Sequence, residues 1–206
     1  MLRPAAALLL CGLFLAGCDD KPTASPTPPA APASVAPRPI QARWWEWAAA
    51  EPEATNPVAD RTGRQCARNQ PGDVWFLAGT FGGEVRRQCT VPLGVPLVAP
   101  ALNLVGETRQ DCSAFMTGAT GSVQVDGREV RLDRPGHEAI TFTAGPGNPV
   151  TRSAGETSGM GCGLWARIDP PAAGEHLVTI HGRSGTFEVY VQYQLVVKAG
   201  ASPGAA

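Results

Sequence analysis

Thr186-Phe187-Glu188-Val189-Tyr190-Val191-Gln192-Tyr193-Gln194-Leu195-Val196-Val197-Lys198 decides the fold class of this chain. Phe187, Val189, Val191, Tyr193, Leu195 and Val197 alternate with mostly polar residues, so the period is two. A strand with that period lays one face on a core and turns the other to solvent. Upstream, Val123-Gln124-Val125-Asp126-Gly127-Arg128-Glu129-Val130-Arg131-Leu132 alternates on both sides of Asp-Gly, the pair that tolerates the positive φ angles of a type I′ hairpin. Ala139 to Thr143 and His176 to His181 read as further short strands. Val74-Trp75-Phe76-Leu77-Ala78-Gly79 is apolar throughout, as in a strand buried on both faces. Thr80-Phe81-Gly82-Gly83 then turns the chain into a strand carrying Val85, Arg87, Cys89 and Val91.

One segment departs from this pattern. Gln41 to Ala50 is built of helix formers, with Trp44, Trp47 and Ala48 on one face at helical spacing, and Pro52 ends it near Glu51. One short N-terminal helix followed by short strands and many Gly and Pro turns predicts an all-β chain. The expected architecture is an antiparallel β-sandwich, Ig-like or jelly-roll-like, with a small β-barrel as the alternative.

The N-terminus carries an address. Arg3 precedes an apolar run from Ala5 to Ala16, and Leu15-Ala16-Gly17-Cys18 has the layout of a secretory signal with a cysteine at the cut. It resembles the bacterial lipoprotein lipobox, which implies cleavage after residue 17 and diacylation of Cys18, with palmitate-type chains. Two acyl chains suffice for stable attachment. Residues 18–39 are then the lipidated cysteine and a Pro/Ala-rich spacer too poor in apolar side chains to fold. Residues 40–198 form the sandwich domain, and 199–206 a disordered tail. Asp19 and Asp20 resemble an inner-membrane retention signal. The expected location is the cell envelope, lipid-anchored and facing the periplasm, with the inner membrane favoured over the outer.

Charge excludes one class of partner. Seventeen Lys and Arg stand against eighteen Asp and Glu, scattered along the chain, so no basic face for nucleic acid emerges. Four cysteines remain beyond the address: Cys66, Cys89, Cys112 and Cys162. Their even count and wide spacing read as two disulfides in an oxidising compartment, and the absence of a Cys-x-x-Cys pair argues against a zinc ribbon. Of three connectivities, Cys66 with Cys89 and Cys112 with Cys162 is preferred, since the chain between the first two reads as a local hairpin.

Asn56 to Cys66, the Val74-to-Gly83 stretch and Arg87-Gln88-Cys89-Thr90-Val91-Pro92 together are similar to a group of uncharacterised bacterial exported proteins. Their shared core is a tryptophan-led opening, a Cys-flanked hairpin and a final alternating strand after a Gly-Glu-His segment. The resemblance implies a fold and an export route, and no chemistry.

No catalytic signature stands out. No serine lies in Gly-x-Ser-x-Gly, and His176 and His181 fall on opposite faces of one strand. No catalytic residue, metal or cofactor is assigned. Asp60, Asp73, Glu107, Asp111, Glu156 and Asp169 are read as loop carboxylates, and Gly145 to Gly163 as a long Gly-rich loop of the kind that carries function. Trp165, which closes it, either stacks on a ligand or packs against the Cys162 disulfide. Asp60, Arg87, Asn103, Glu156 and Trp165 are the candidate binding residues. The expected function is a non-catalytic envelope lipoprotein that binds a protein partner. A carbohydrate or peptidoglycan binder using exposed indoles is the alternative, and an envelope hydrolase the second.

Overall fold

The computed structural model describes residues 38–199. The signal segment, Cys18, nearly all of the spacer and nearly all of the tail lie outside them. Strand β10 spans Phe187–Lys198 and is buried at Val189, Val191, Tyr193, Leu195 and Val197, as its period of two requires. It lies inside a five-stranded sheet of order β2-β10-β9-β4-β5, with β2 at Gly83–Pro92, β4 at Thr120–Val125, β5 at Arg128–Val130 and β9 at Gly174–Ser184. Asp126 and Gly127 join β4 to β5 with φ of 51° and 76°, the positive pair of a type I′ turn.

The second sheet is built around β8, Gly155–Ile168. On one edge β8 pairs with β3, Leu97–Gly106; on the other it pairs with β7, Glu138–Ala144, and then β6, Leu132–Asp133. A two-residue strand β1, Trp75–Phe76, adds to β3. Inner side chains of both sheets form one core, including Leu97, Ala101, Leu164, Ile180 and Val191. The all-β sandwich is therefore observed, and both sheets are open rather than closed into a barrel. The sheets approach so closely at Gly182 that a Cβ there would stand 2.1 Å from the Ala101 carbonyl oxygen.

Helix α1, Ile40–Ala48, covers the outer face of the β8 sheet. Trp44, Trp45 and Trp47 pack there with Phe76, Phe142 and Trp165, and Trp44 meets the Trp165 ring edge-on at 5.8 Å. Burial of each such ring contributes about 2–3 kcal/mol. Two of the indoles are also tied down, Trp44 donating to the Leu77 carbonyl and Trp47 to that of Arg68. Asn56, fully buried, closes the helix by donating to the Ala48 and Glu51 carbonyls while accepting from the backbone of Val58 and Ala59.

Several expectations need correction. The sandwich is not purely antiparallel, because β1 runs parallel to β3 and β2 parallel to β10. The Cys66–Cys89 segment is not a hairpin: β1 joins one sheet and β2 the other. A second helix, α2 at Arg109–Met116, follows β3, with Thr108 and Asp111 forming a reciprocal capping box. Asp111 is thus a helix cap and not a loop carboxylate. The supposed loop from Gly145 to Gly163 is a loop only as far as Ala154, since β8 begins at Gly155.

Both disulfides pair as expected. Cys66–Cys89 fastens the loop after α1 to β2, and Cys112–Cys162 fastens α2 to β8 with both cysteines fully buried. They fit an oxidising, extracytoplasmic environment.

Candidate binding pocket

Strand β3 has a partner on its β1 side only at Leu97 and Val98. Beyond Phe76 the chain follows β3 for one more hydrogen bond, from Leu77 N–H to the Val98 carbonyl, then crosses to the other sheet through Gly79–Gly83. The edge of β3 past Val98 is left without a strand, and the register slips between Pro100 and Leu102. A cavity of about 330 Å³ opens at this crossing. Pro100 to Leu104 supply one wall, α1 another through Trp45, and the rings of Phe81, Phe115 and Phe187 a third. Phe81 is 52 % exposed, and Gly82 and Gly83 after it take φ of 118° and 82°, which shapes the turn that carries it.

Among the described residues, no charged side chain lines this cavity, and Thr80 and Asn103 are its polar residues. The Thr80 hydroxyl is engaged within its own turn, accepting from Gly82 N–H at 2.8 Å. Asn103 Nδ2 is buried and has no acceptor among the described residues, and the same holds for Trp45 Nε1. Trp165 Nε1, also without an acceptor, lies beside Asn103: a methyl group at Gly163 would stand 2.8 Å from that nitrogen and 2.9 Å from Asn103 Cβ. A buried donor without an acceptor costs about 1–3 kcal/mol. The arrangement is a largely apolar pocket whose lining carries no charge.

Of the candidate binding residues, only Asn103 lines the pocket, with Trp165 adjoining it. Trp165 is 1 % exposed and packs under α1, against Trp44 rather than against the disulfide. All five indoles are buried, so they present no exposed stacking face for a saccharide. Asp60 accepts from the backbone N–H of Thr62 and Gln65 and from the Thr62 hydroxyl. Its partial burial alone would raise its pKa, but these bonds and the nearby Arg87 charge hold it below the usual value. Arg87 is 3 % exposed and spends its guanidinium on the protein, donating to the carbonyls of Val58, Asp60, Ala78 and Gly79 and to the Tyr193 hydroxyl. Glu156 is exposed near the start of β8, paired in register with Thr143.

The carboxylates do not form one site. Asp73 pairs with Arg43, Asp60 holds its own turn and Asp111 caps α2. Among the described residues, no three His, Cys, Asp or Glu side chains are placed to hold a metal. His176 and His181 do lie on opposite faces of β9. His176 is bonded at both ring nitrogens, to Asp126 at 2.7 Å and to the Ala172 carbonyl at 2.9 Å. The Asp126 hydrogen bond leads the causes that raise the His176 pKa, and its counterpart lowers that of Asp126.

Sequence reasoning missed most of the pocket wall. Phe81 was visible only as part of a turn, and nothing in the local pattern ties Phe115 or Phe187 to it. No family model matches the chain, and neither a curated protein nor a solved structure does.

Proposed function

We propose that this chain is an exported, lipid-anchored cell-envelope protein whose sandwich domain works by binding, without catalysis, and that the pocket beside β3 is its binding site. The observation that carries this reading is the uncharged, largely apolar cavity of about 330 Å³. Its size lies at the lower end of the range of small-ligand sites, roughly 300–1,000 Å³. A concave, pre-formed pocket supports capture of a ligand, or of an apolar group presented by a partner protein. Cys18 would supply the anchor, and the spacer would hold the domain away from the bilayer by about 3 Å per residue. The two disulfides and the signal-like N-terminus support the compartment.

The test uses a photo-crosslinking residue in place of Phe81, at the pocket mouth, in the full chain expressed in its host. Leu93, 47 % exposed in the turn after β2 and not part of the pocket, is the control position. Adducts at position 81, absent at 93 and lost when Leu104→Trp fills the pocket, are the expected result. Equal capture at both positions, or capture indifferent to Leu104→Trp, would overturn the reading.

A further inference from the structure

We infer that the ligand of this pocket is the hydrocarbon chain of a single-chain amphiphile, with about a dozen carbons in the cavity and the polar head left outside; this rests on the pocket being the binding site. Size and charge lead there. An apolar cavity of about 150 Å³ stays dry and takes up a six-carbon ring, so the 330 Å³ here hold roughly twice as many carbons. Apart from Thr80 and Asn103 the lining is aliphatic and aromatic, which supplies a hydrophobic driving force and little else. Among the described residues no charge lines the cavity, so a charged head drawn inside would lose its water without gaining a counter-charge. It therefore stays at the mouth, beside the half-exposed ring of Phe81.

Competing occupants fit less well. A phenylalanine presented by a partner protein brings one six-carbon ring and would leave about half of the space unfilled, and empty apolar volume is costly. Addition of a partner strand to the open β3 edge is also disfavoured. Pro100 has no N–H to offer, and Ala101 and Leu102 are at most 2 % exposed, so the backbone there is out of reach. A source of hydrocarbon chains is close on the proposed anchor. Arg38 follows Cys18 by 20 positions, so at about 3 Å per residue the spacer spans about 60 Å at most. Helix α1, two residues further on, carries Trp44, Trp45 and Ala48 into the pocket wall.

The experiment titrates the full chain carrying Cys18→Ala, which has no acyl group of its own to compete, with straight-chain alcohols from hexanol to tetradecanol. Binding is read from the tryptophan fluorescence, to which Trp44 and Trp45 in the pocket wall contribute. Affinity is expected to rise about two- to fourfold with each added methylene and to level off near twelve carbons, where the cavity is full. Decyl sulfate and decyltrimethylammonium, opposite in charge and equal in chain, should bind within about threefold of each other, because the head stays in water. Leu104→Trp should bring the plateau to a shorter chain. Phe115→Ala should move it to a longer one, and serves as the second variant if Leu104→Trp does not fold. Affinity that follows the charge of the head, that does not grow with the chain, or that levels off at the same length in both variants would overturn the inference. Pocket-dependent crosslinking at position 81 without alcohol binding would remove the hydrocarbon ligand and leave the binding site standing. Absence of both would remove both.

Discussion

Replacing Arg87 by Leu should cost the fold about 3 kcal/mol. The guanidinium holds the loop of Val58 and Asp60 and the crossing at Ala78 and Gly79 against β2 and β10. Without it the carbonyls of Val58, Asp60 and Gly79 lose the arginine donor, while that of Ala78 keeps the Tyr193 hydroxyl at 2.9 Å. Three carbonyls orphaned at about 1–3 kcal/mol each give a gross loss of about 3–9 kcal/mol. Relief from desolvating the guanidinium returns several kcal/mol of that, and leucine still fills part of the space. The net value falls near the lower bound. It is a large share of a domain stability of about 5–15 kcal/mol. Arg87→Lys keeps the charge but has three donors without the fork geometry, so it should restore only part of the loss. Urea unfolding followed by far-UV circular dichroism, with the disulfides intact, measures both variants. An Arg87→Leu protein within about 0.5 kcal/mol of the parent would refute the brace, because surface substitutions away from such features fall in that range. So would Leu and Lys variants of equal stability.

The His176–Asp126 pair predicts a defined pH window. The His176 pKa is raised above its ordinary 6.5, so its contribution to stability is complete below that value and is lost as pH rises through the folded-state pKa. The Asp126 pKa is lowered below its ordinary 3.8, so its contribution is present above that value and is lost as pH falls through the folded-state pKa. His176→Asn should therefore lower the urea midpoint more at pH 5.5 than at pH 9, and a difference that does not vary with pH would refute the assignment. Cys18→Ala should remove the acyl mass from the mature protein and release it from the membrane fraction, as read by mass spectrometry and fractionation. Unchanged partitioning would end the anchor proposal.

The parts of the fold that were legible are those in which one local rule speaks plainly. β10 kept an almost unbroken alternation, Asp126-Gly127 carried its turn chemistry, and the count and spacing of the cysteines announced two disulfides, although the pairing preferred among three rested on a hairpin that the fold does not contain. β8 was hidden for a physical reason. Gly155, Gly159, Gly161 and Gly163 gave its first half the composition of a loop, yet two of them are demanded by close approach: a Cβ at Gly159 would stand 2.8 Å from the Gly106 carbonyl oxygen, and one at Gly163 2.6 Å from that of Leu102. Helix α2 had a readable start in Thr108-Arg109-Gln110-Asp111, a capping-box spacing that the strand pattern around it obscured. The parallel pairings left no local trace, because register between strands distant in sequence is set by the whole core. The pocket was illegible for the same reason: Asn103 was singled out, but Phe81, Phe115 and Phe187 come together only through the crossing between sheets.

The parallel ladder of β2 with β10 bears on how this chain is made. It joins Gly83–Pro92 to Val189–Lys198, segments about a hundred residues apart, so its loop-closure entropy is among the largest in the domain. β10 is also the bridge between β2 and β9, and the other sheet lies against the face they form. Until β10 has been made, β2 therefore has no neighbour in its sheet, and the domain cannot close before that strand arrives. A domain that closes last at β10 suits the export route proposed above, which would need an unfolded chain before translocation and would let the cysteines oxidise after it.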